Sequence, residues 1–128
     1  MVKENHKNFI SHFIPDLFTE ENRVVFSEEI ELLQKDAQLM SKESVIAALN
    51  GMRSRPDRVY VYKKARIPFG FIIGQQDIRA NIPQLLEQIQ LCCHAEMLML
   101  KRVAHMGYIE DFESCVRFIK AFALQSYK

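Results

Sequence analysis

Two residues in the second half of the sequence, Asp77 and His105, are of the types that act together in proton transfer. Each follows an apolar segment, the first ending at Gly74 and the second at Leu100. If these segments are neighbouring parallel strands, their carboxyl ends share one rim of the sheet, and the two side chains can face each other there. A carboxylate that accepts a hydrogen bond from an imidazole nitrogen fixes the tautomer of the ring and stabilises the imidazolium formed during proton transfer. The alternative interpretation is a surface aspartate in a turn and a histidine whose ring is satisfied by the backbone.

The elements that must position these residues are predicted within residues 57–128. The continuous apolar run of the first segment is typical of a strand buried on both faces. Strand, helix and strand at this spacing predict a right-handed parallel βαβ unit, closed by a C-terminal helix. The predicted elements are a strand over Ile67–Ile73, a helix over Asn81–Leu91, a strand over Ala95–Leu100 and a helix from about Phe112 to Leu124.

Residues 1–56 are expected to be helical, because they contain a single glycine and almost no strand-like stretch. Pro15 and the Thr19–Asn22 segment are expected to break the first helical stretch into short pieces. Ser27 is predicted as the N-cap of one helix, and another is predicted to open at Ser41 and to end at Gly51. The predicted fold class is therefore α/β, a helical segment followed by a parallel βαβ-α part. Six apolar residues recur at helical spacings and are predicted to share one face: Phe9, Ile10, Phe13, Ile14, Leu17 and Phe18.

Charge and composition argue against several functional classes. Seventeen basic and sixteen acidic side chains give a formal charge of +1, whereas a nucleic-acid binder normally has a basic excess on one face. No apolar run approaches the ~20 residues that span a bilayer, and the polar N-terminus has no apolar stretch of the kind that drives export. Three cysteines make no disulfide framework, so a cytoplasmic location is expected.

No cofactor and no metal site are expected. Cys92, Cys93 and His94, together with Cys115, suggest thiol or metal chemistry at first sight. The sequence has no C-x-x-C pair and lacks the neighbours that a zinc spacing needs. Free cysteine is often simply a small buried apolar residue, and that interpretation is favoured here.

A parallel sheet of only two strands is poorly shielded from solvent and from other chains. Parallel strands normally lie inside larger sheets with both faces covered, and exposed edges invite pairing with other chains. The apolar run Phe69–Ile73 is hard to reconcile with such a sheet standing alone. We therefore expect either that the chain forms homo-oligomers through a sheet edge or that it is part of something larger.

Two segments resemble the catalytic loops of the α/β-hydrolase family. Ile67–Gly74 followed by Gln75-Gln76-Asp77 is similar to the apolar strand and turn that carry the acid of the catalytic triad. Val103–Glu110, followed by an amphipathic helix, is similar to the family's histidine loop and terminal helix. The resemblance implies that Asp77 is the triad acid, that His105 is the triad base, and that residues 1–56 correspond to the helical cap.

The family's nucleophile is missing from this sequence. It should lie upstream of the cap on a G-x-S-x-G turn, and no serine here has paired flanking glycines. The chain is therefore expected to be the C-terminal half of an α/β hydrolase, inactive alone unless an N-terminal half-chain completes it for hydrolysis of an ester or similar acyl bond. The alternative is a non-catalytic remnant that self-associates or binds a partner. A stand-alone enzyme in which His105 activates water is the third hypothesis.

Overall fold

The structure, a computed structural model, describes residues 6–126 and divides into two units, the first ending at Asp57 and the second beginning at Arg58. The chain is of the mixed α/β class, with helices in both units and a two-stranded parallel sheet in the second. This coarse architecture agrees with the prediction from the sequence. In the part of the chain that the structure describes, no helix combines the length and the hydropathy needed to cross a membrane.

Four α-helices form the described part of the first unit, and side-chain caps begin two of them. Thr19 Oγ1 accepts a hydrogen bond from the N–H of Asn22, and Ser41 Oγ accepts one from the N–H of Ser44, both at 3.1 Å. Such caps satisfy N–H groups that have no partner within the first turn. A 3-10 helix over Pro15–Leu17 separates the first two α-helices. The α-helices are α1 (His6–Phe13), α2 (Glu20–Val25), α3 (Ser27–Gln38) and α4 (Lys42–Ser54).

Three details of these helices differ from the prediction. Thr19 lies in the expected break as the cap of α2, but Glu20–Asn22, also expected to lie there, form the first turn of that helix. Ser27 is the first residue of α3 rather than its cap, because Phe26 already accepts the first hydrogen bond of that helix, from the N–H of Ile30. Gly51 does not end α4.

Helix α4 continues past Gly51 to Ser54 because Gly51 does not adopt the left-handed backbone of a glycine cap. The helix ends at Ser54 instead, two residues before Pro56. A proline ring disfavours helical backbone at the preceding residue, and Arg55 is extended, with φ −60° and ψ 122°.

The core of the first unit uses the apolar face predicted from the sequence. Ile10, Ile14 and Phe18 follow each other at a spacing of four residues, and all three are buried. Helix α3 is joined to α1 by Gln34, whose Nε2 donates to the backbone oxygen of Ser11 at 2.8 Å.

The sheet of the second unit is formed by β1 (Phe69–Gly74) and β2 (Ala95–Leu100), which run parallel. Phe69 pairs with Ala95 and Gly74 with Leu100. Strand β1 begins two residues later than predicted, because its first inter-strand bond runs from the N–H of Phe69 to the oxygen of His94, whereas Pro68 has no N–H to donate. Within residues 6–126, neither strand has a second hydrogen-bonded neighbour, so each has one open edge.

The helices of the second unit connect and cover this sheet. The crossover helix begins at Asn81, whose Oδ1 accepts from the N–H of Gln84 at 3.1 Å. The five-residue helix before β1 was not predicted. These helices are α5 (Tyr60–Lys64), α6 (Ile82–Ile89), α7 (Gly107–Glu110) and α8 (Phe112–Ser126).

Alternate residues of β1 contact different helices. The rings of Phe69 and Phe71 contact Tyr62 of α5, with centroid distances of 5.2 and 5.9 Å. Gly70, between them, faces α8, because a Cβ at this position would lie 3.3 Å from two phenylalanine rings of that helix. The buried core next to the carboxyl ends of the strands is formed by Leu100, Val103 and Cys115, with Ile72 and Leu98 packed against it.

Candidate functional site

The structure brings Asp77 and His105 together, although 28 positions separate them in the sequence. Asp77 lies shortly after the end of β1, and His105 lies shortly after the end of β2. Nδ1 of His105 is 2.7 Å from Oδ2 of Asp77, and because a carboxylate only accepts hydrogen bonds, the imidazole donates through Nδ1–H. This tautomer leaves a lone pair on Nε2, which can accept a proton from a group outside the pair.

The carboxylate of Asp77 is held by a turn of the backbone. The N–H of Asp77 donates to the oxygen of Gly74 at 3.2 Å, and Oδ1 accepts from the N–H of Arg79 at 2.8 Å. One carboxylate oxygen is thus fixed by the backbone and the other by the imidazole. The side chain of Asp77 is 9% exposed, whereas that of His105 is 50% exposed.

The loop that carries His105 is bonded directly to the aspartate turn. The N–H of Gln75 donates to the oxygen of Leu100, and the N–H of Gln76 donates to the oxygen of Val103, both at 2.9 Å. These bonds continue the ladder of the parallel sheet beyond the two strands. The two loops are therefore positioned by each other as well as by the strands.

Gly74 permits the closest contact between the two loops. A Cβ at this position would lie 1.8 Å from the backbone oxygen of Ala104 and 2.7 Å from that of Val103. No side chain fits there, so the histidine loop can approach the end of β1 only because residue 74 is glycine. The sequence identified Gly74 as the end of a strand, but its spacing gives no sign of this contact.

Glu110, the last residue of α7, holds the histidine loop from the other side. Its Oε1 accepts from the N–H of Ala104 at 2.9 Å and from the N–H of Met106 at 3.2 Å. Both neighbours of His105 are buried, while the histidine side chain is half exposed. Glu110 belongs to the segment Val103–Glu110, but the sequence does not predict its role, because its partners are backbone groups that leave no mark in a sequence.

An apolar pocket of about 290 Å³ lies beside the pair. Asp77 and His105 line it together with Ile72, Leu85 and Ile119, which belong to β1, α6 and α8. Among the described residues that line the pocket there is no serine or threonine. The arrangement can take up a small apolar group beside an imidazole that is ready to accept a proton.

Cys115 also lines the pocket, but it is a poor nucleophile. Its side chain belongs to the core and is 3% exposed. Burial raises the pKa of the Cys115 thiol, and the negative charge of Asp111 raises it further. The thiol therefore stays protonated at neutral pH, whereas thiol chemistry needs the thiolate.

The cysteines before β2 lie at the opposite end of the sheet from this pair. Burial raises the pKa of Cys92, with a smaller contribution from Cys93. Arg66 donates to the sulfur of Cys93 at 3.1 Å. Across residues 6–126, no group of three or more histidine, cysteine, aspartate or glutamate side chains could hold a metal ion.

No protein-family model matches the sequence, and no curated protein matches it significantly.

Proposed function

We propose that residues 58–128 carry the acid and the base of an α/β-hydrolase-like active site, and that Asp77 and His105 are this pair. The observation that carries the proposal is the 2.7 Å hydrogen bond from Nδ1 of His105 to Oδ2 of Asp77, at the carboxyl end of two parallel strands. The order of the residues along the chain, acid before histidine, is the order in that family. In this proposal, the helical first unit corresponds to the family's cap.

The pair acts by moving one proton twice. Nε2 of His105 removes the proton from a hydroxyl or thiol nucleophile as the nucleophile attacks the carbonyl carbon of an ester. The same proton then passes to the departing alkoxide, which leaves as an alcohol. Water then attacks the acyl intermediate: Nε2 removes a proton from the water and passes it to the departing nucleophile. The product released is the carboxylic acid. Asp77 stabilises the imidazolium in each step and keeps the ring in the tautomer that exposes the lone pair of Nε2.

The nucleophile comes, in this proposal, from outside these 128 residues. The sequence has no G-x-S-x-G turn, and the described lining of the pocket contains no serine or threonine. Its thiol, Cys115, is buried and has a raised pKa. A second polypeptide that adds strands to an open edge of the β1–β2 sheet would bring a nucleophile turn to the same rim. The substrate class is then an ester or a similar acyl compound with a small apolar group.

Co-expression with the polypeptide encoded immediately upstream of the Met1 codon tests this proposal. We expect the 128-residue chain alone to hydrolyse p-nitrophenyl acetate at no more than the rate of free imidazole, because it lacks a nucleophile. The co-expressed complex should hydrolyse the ester, and Asp77→Asn and His105→Ala should each lower kcat by at least about 10³-fold.

The exposed cysteine at position 93 provides the control, since Cys93→Ala should leave kcat unchanged. The proposal is overturned if the complex has no hydrolase activity or if its activity survives His105→Ala.

A second candidate function, self-association through the sheet, is favoured by the open edges of β1 and β2. Met97 of β2 is 43% exposed, so the apolar surface of the strand is incompletely covered by the described residues. Light scattering should then show a dimer or larger species, and Met97→Lys should produce monomers, because a charge on an edge strand opposes pairing with another chain.

Met52→Lys, on an exposed helical position in the first unit, is the matched control and should not change the mass. A monomeric wild-type protein that unfolds cooperatively would contradict self-association.

A further inference from the structure

A single carboxylate oxygen binds the backbone on both sides of His105. Oε1 of Glu110 accepts from the N–H of Ala104 and from the N–H of Met106, at 2.9 and 3.2 Å. Hydrogen bonds to an ionised acceptor are roughly twice as strong as bonds between neutral groups. The two bonds span His105, so they restrict the rotation of the peptide planes before and after it.

The backbone of α7 brings Glu110 back to this loop. The N–H of Glu110 donates to the oxygen of Met106 at 2.9 Å, while the side chain of Glu110 accepts from the N–H of the same residue. This reciprocal arrangement resembles a capping box, in which a side chain reaches back to the N–H of the capping residue. Here the same oxygen also reaches Ala104, which lies outside the helix. That additional bond is more than capping α7 requires.

The side chain of His105 has little packing of its own to orient it. It is half exposed, and the ring contact that the structure gives is the hydrogen bond to Asp77. Its direction therefore depends on the backbone from which it extends. We propose that Glu110 is a positioning residue, which sets the loop so that Nδ1–H points at Asp77 and Nε2 keeps its lone pair. This inference rests on the proposed function, because it concerns the base of that site.

NMR of the imidazole nitrogens in the full chain tests the inference without any assay of activity. Long-range proton–nitrogen spectra, recorded at a pH where the ring is neutral, distinguish an Nδ1–H ring from an Nε2–H ring by two well-separated nitrogen shifts. In the wild-type protein we expect the Nδ1–H pattern for His105. Glu110→Gln should keep this pattern, because the amide oxygen can still accept from both N–H groups.

Shortening or removing the side chain should have the opposite effect. Glu110→Asp keeps the charge but is one methylene too short to reach both N–H groups, and Glu110→Ala removes the acceptor. In both variants the nitrogen shifts of His105 should move to the averaged values of a free imidazole. The amide protons of Ala104 and Met106 should exchange at least about tenfold faster, as the loss of a hydrogen bond to a charged group requires.

Glu113→Ala, which changes an exposed glutamate in the first turn of α8, is the matched control and should leave His105 unaffected. The inference is overturned if the aspartate or alanine variant keeps the Nδ1–H pattern, or if the glutamine variant loses it. If the shortened variants unfold while Glu110→Gln remains folded, Glu110 is needed for the fold as a whole and the positioning role is rejected. Failure of the proposed function is observed separately, because the co-expressed complex would then lack hydrolase activity or keep it in His105→Ala, whatever the ring pattern of the Glu110 variants.

Discussion

Two carboxylates act on His105, and they contact different parts of it. Asp77 accepts a hydrogen bond from the ring, while Glu110 accepts hydrogen bonds from the backbone on both sides. The second oxygen of Asp77 is bonded to the N–H of Arg79, so this carboxylate cannot rotate without losing a bond. A change at Asp77 should therefore alter the proton chemistry of the imidazole, whereas a change at Glu110 should alter where the imidazole lies.

Cys115, another ionisable group at the site, makes the stability of the core depend on pH. Burial, and to a smaller extent Asp111, raises the pKa of the Cys115 thiol, so the folded state holds this proton more tightly than the unfolded chain does. The stabilisation is complete below the pKa of the thiol in the unfolded chain, about 8.5, and is lost as the pH rises through the folded-state pKa.

We predict that the free energy of unfolding falls with rising pH above about 8.5, and that it falls less steeply in Cys115→Ala. Urea titrations between neutral and alkaline pH measure both slopes. Gly51→Ala, which removes no ionisable group, serves as the control and should keep the wild-type slope. An identical slope in wild type and Cys115→Ala would contradict the prediction.

At the scale of the elements, the two loops form one structure, since backbone bonds join them and Gly74 allows them to touch. Gly74→Ala would place a Cβ 1.8 Å from the oxygen of Ala104, so backbone must move. We predict a loss of about 3 kcal/mol or more in the free energy of unfolding, measured by urea denaturation.

Gly51→Ala is the matched control for this substitution. Gly51 lies inside α4. Apart from its two neighbours and the backbone of its own helix, no atom of the described residues lies within 4 Å of the Cβ that would be added. Alanine should stabilise the helix there by roughly 0.5–1 kcal/mol. Similar effects of the two substitutions would show that the contact at Gly74 is unimportant.

The sequence predicts these elements better than it predicts the contacts between their loops. Both strands follow from apolar runs, and the crossover helix follows from the amphipathic pattern of Asn81–Leu91, because burial leaves a local signal in the sequence. That Asp77 and His105 meet also follows from the sequence, once the strands are parallel. The contacts of Gly74 and Glu110 cannot be predicted from the sequence, since their partners are backbone groups of a distant or irregular segment. Helix α5 is too short to give a periodic pattern.

At the scale of the whole molecule, the chain consists of two units joined by an exposed connector. Residues 55–58 lie between α4 and α5, are exposed, and have no regular secondary structure. The boundary between the units falls within this segment, after Asp57. Connectors of this kind are preferred sites of proteolysis, because a protease needs an accessible and extended backbone.

We predict that trypsin first cleaves the native protein after Arg58 and leaves a fragment that begins at Val59, identified by mass spectrometry. Arg55 is equally exposed, but Pro56 follows it, and trypsin does not cleave before proline. Arg58→Gln should slow the first cleavage. A first cut after Lys101, in the loop bonded to the aspartate turn, would contradict this description of the chain.

The parallel pairing of Gly74 with Leu100 has a consequence for how correct folding can be recognised. If one strand slipped by one residue along the other, the two loops would shift by about 3.3 Å, and every side chain of the slipped strand would change face. The 2.7 Å bond between the ring and the carboxylate could not survive such a shift. The downfield NMR resonance of the Nδ1 proton therefore reports the register of the two strands. It distinguishes molecules with the correct register from those with a shifted one, even when their circular dichroism spectra are the same.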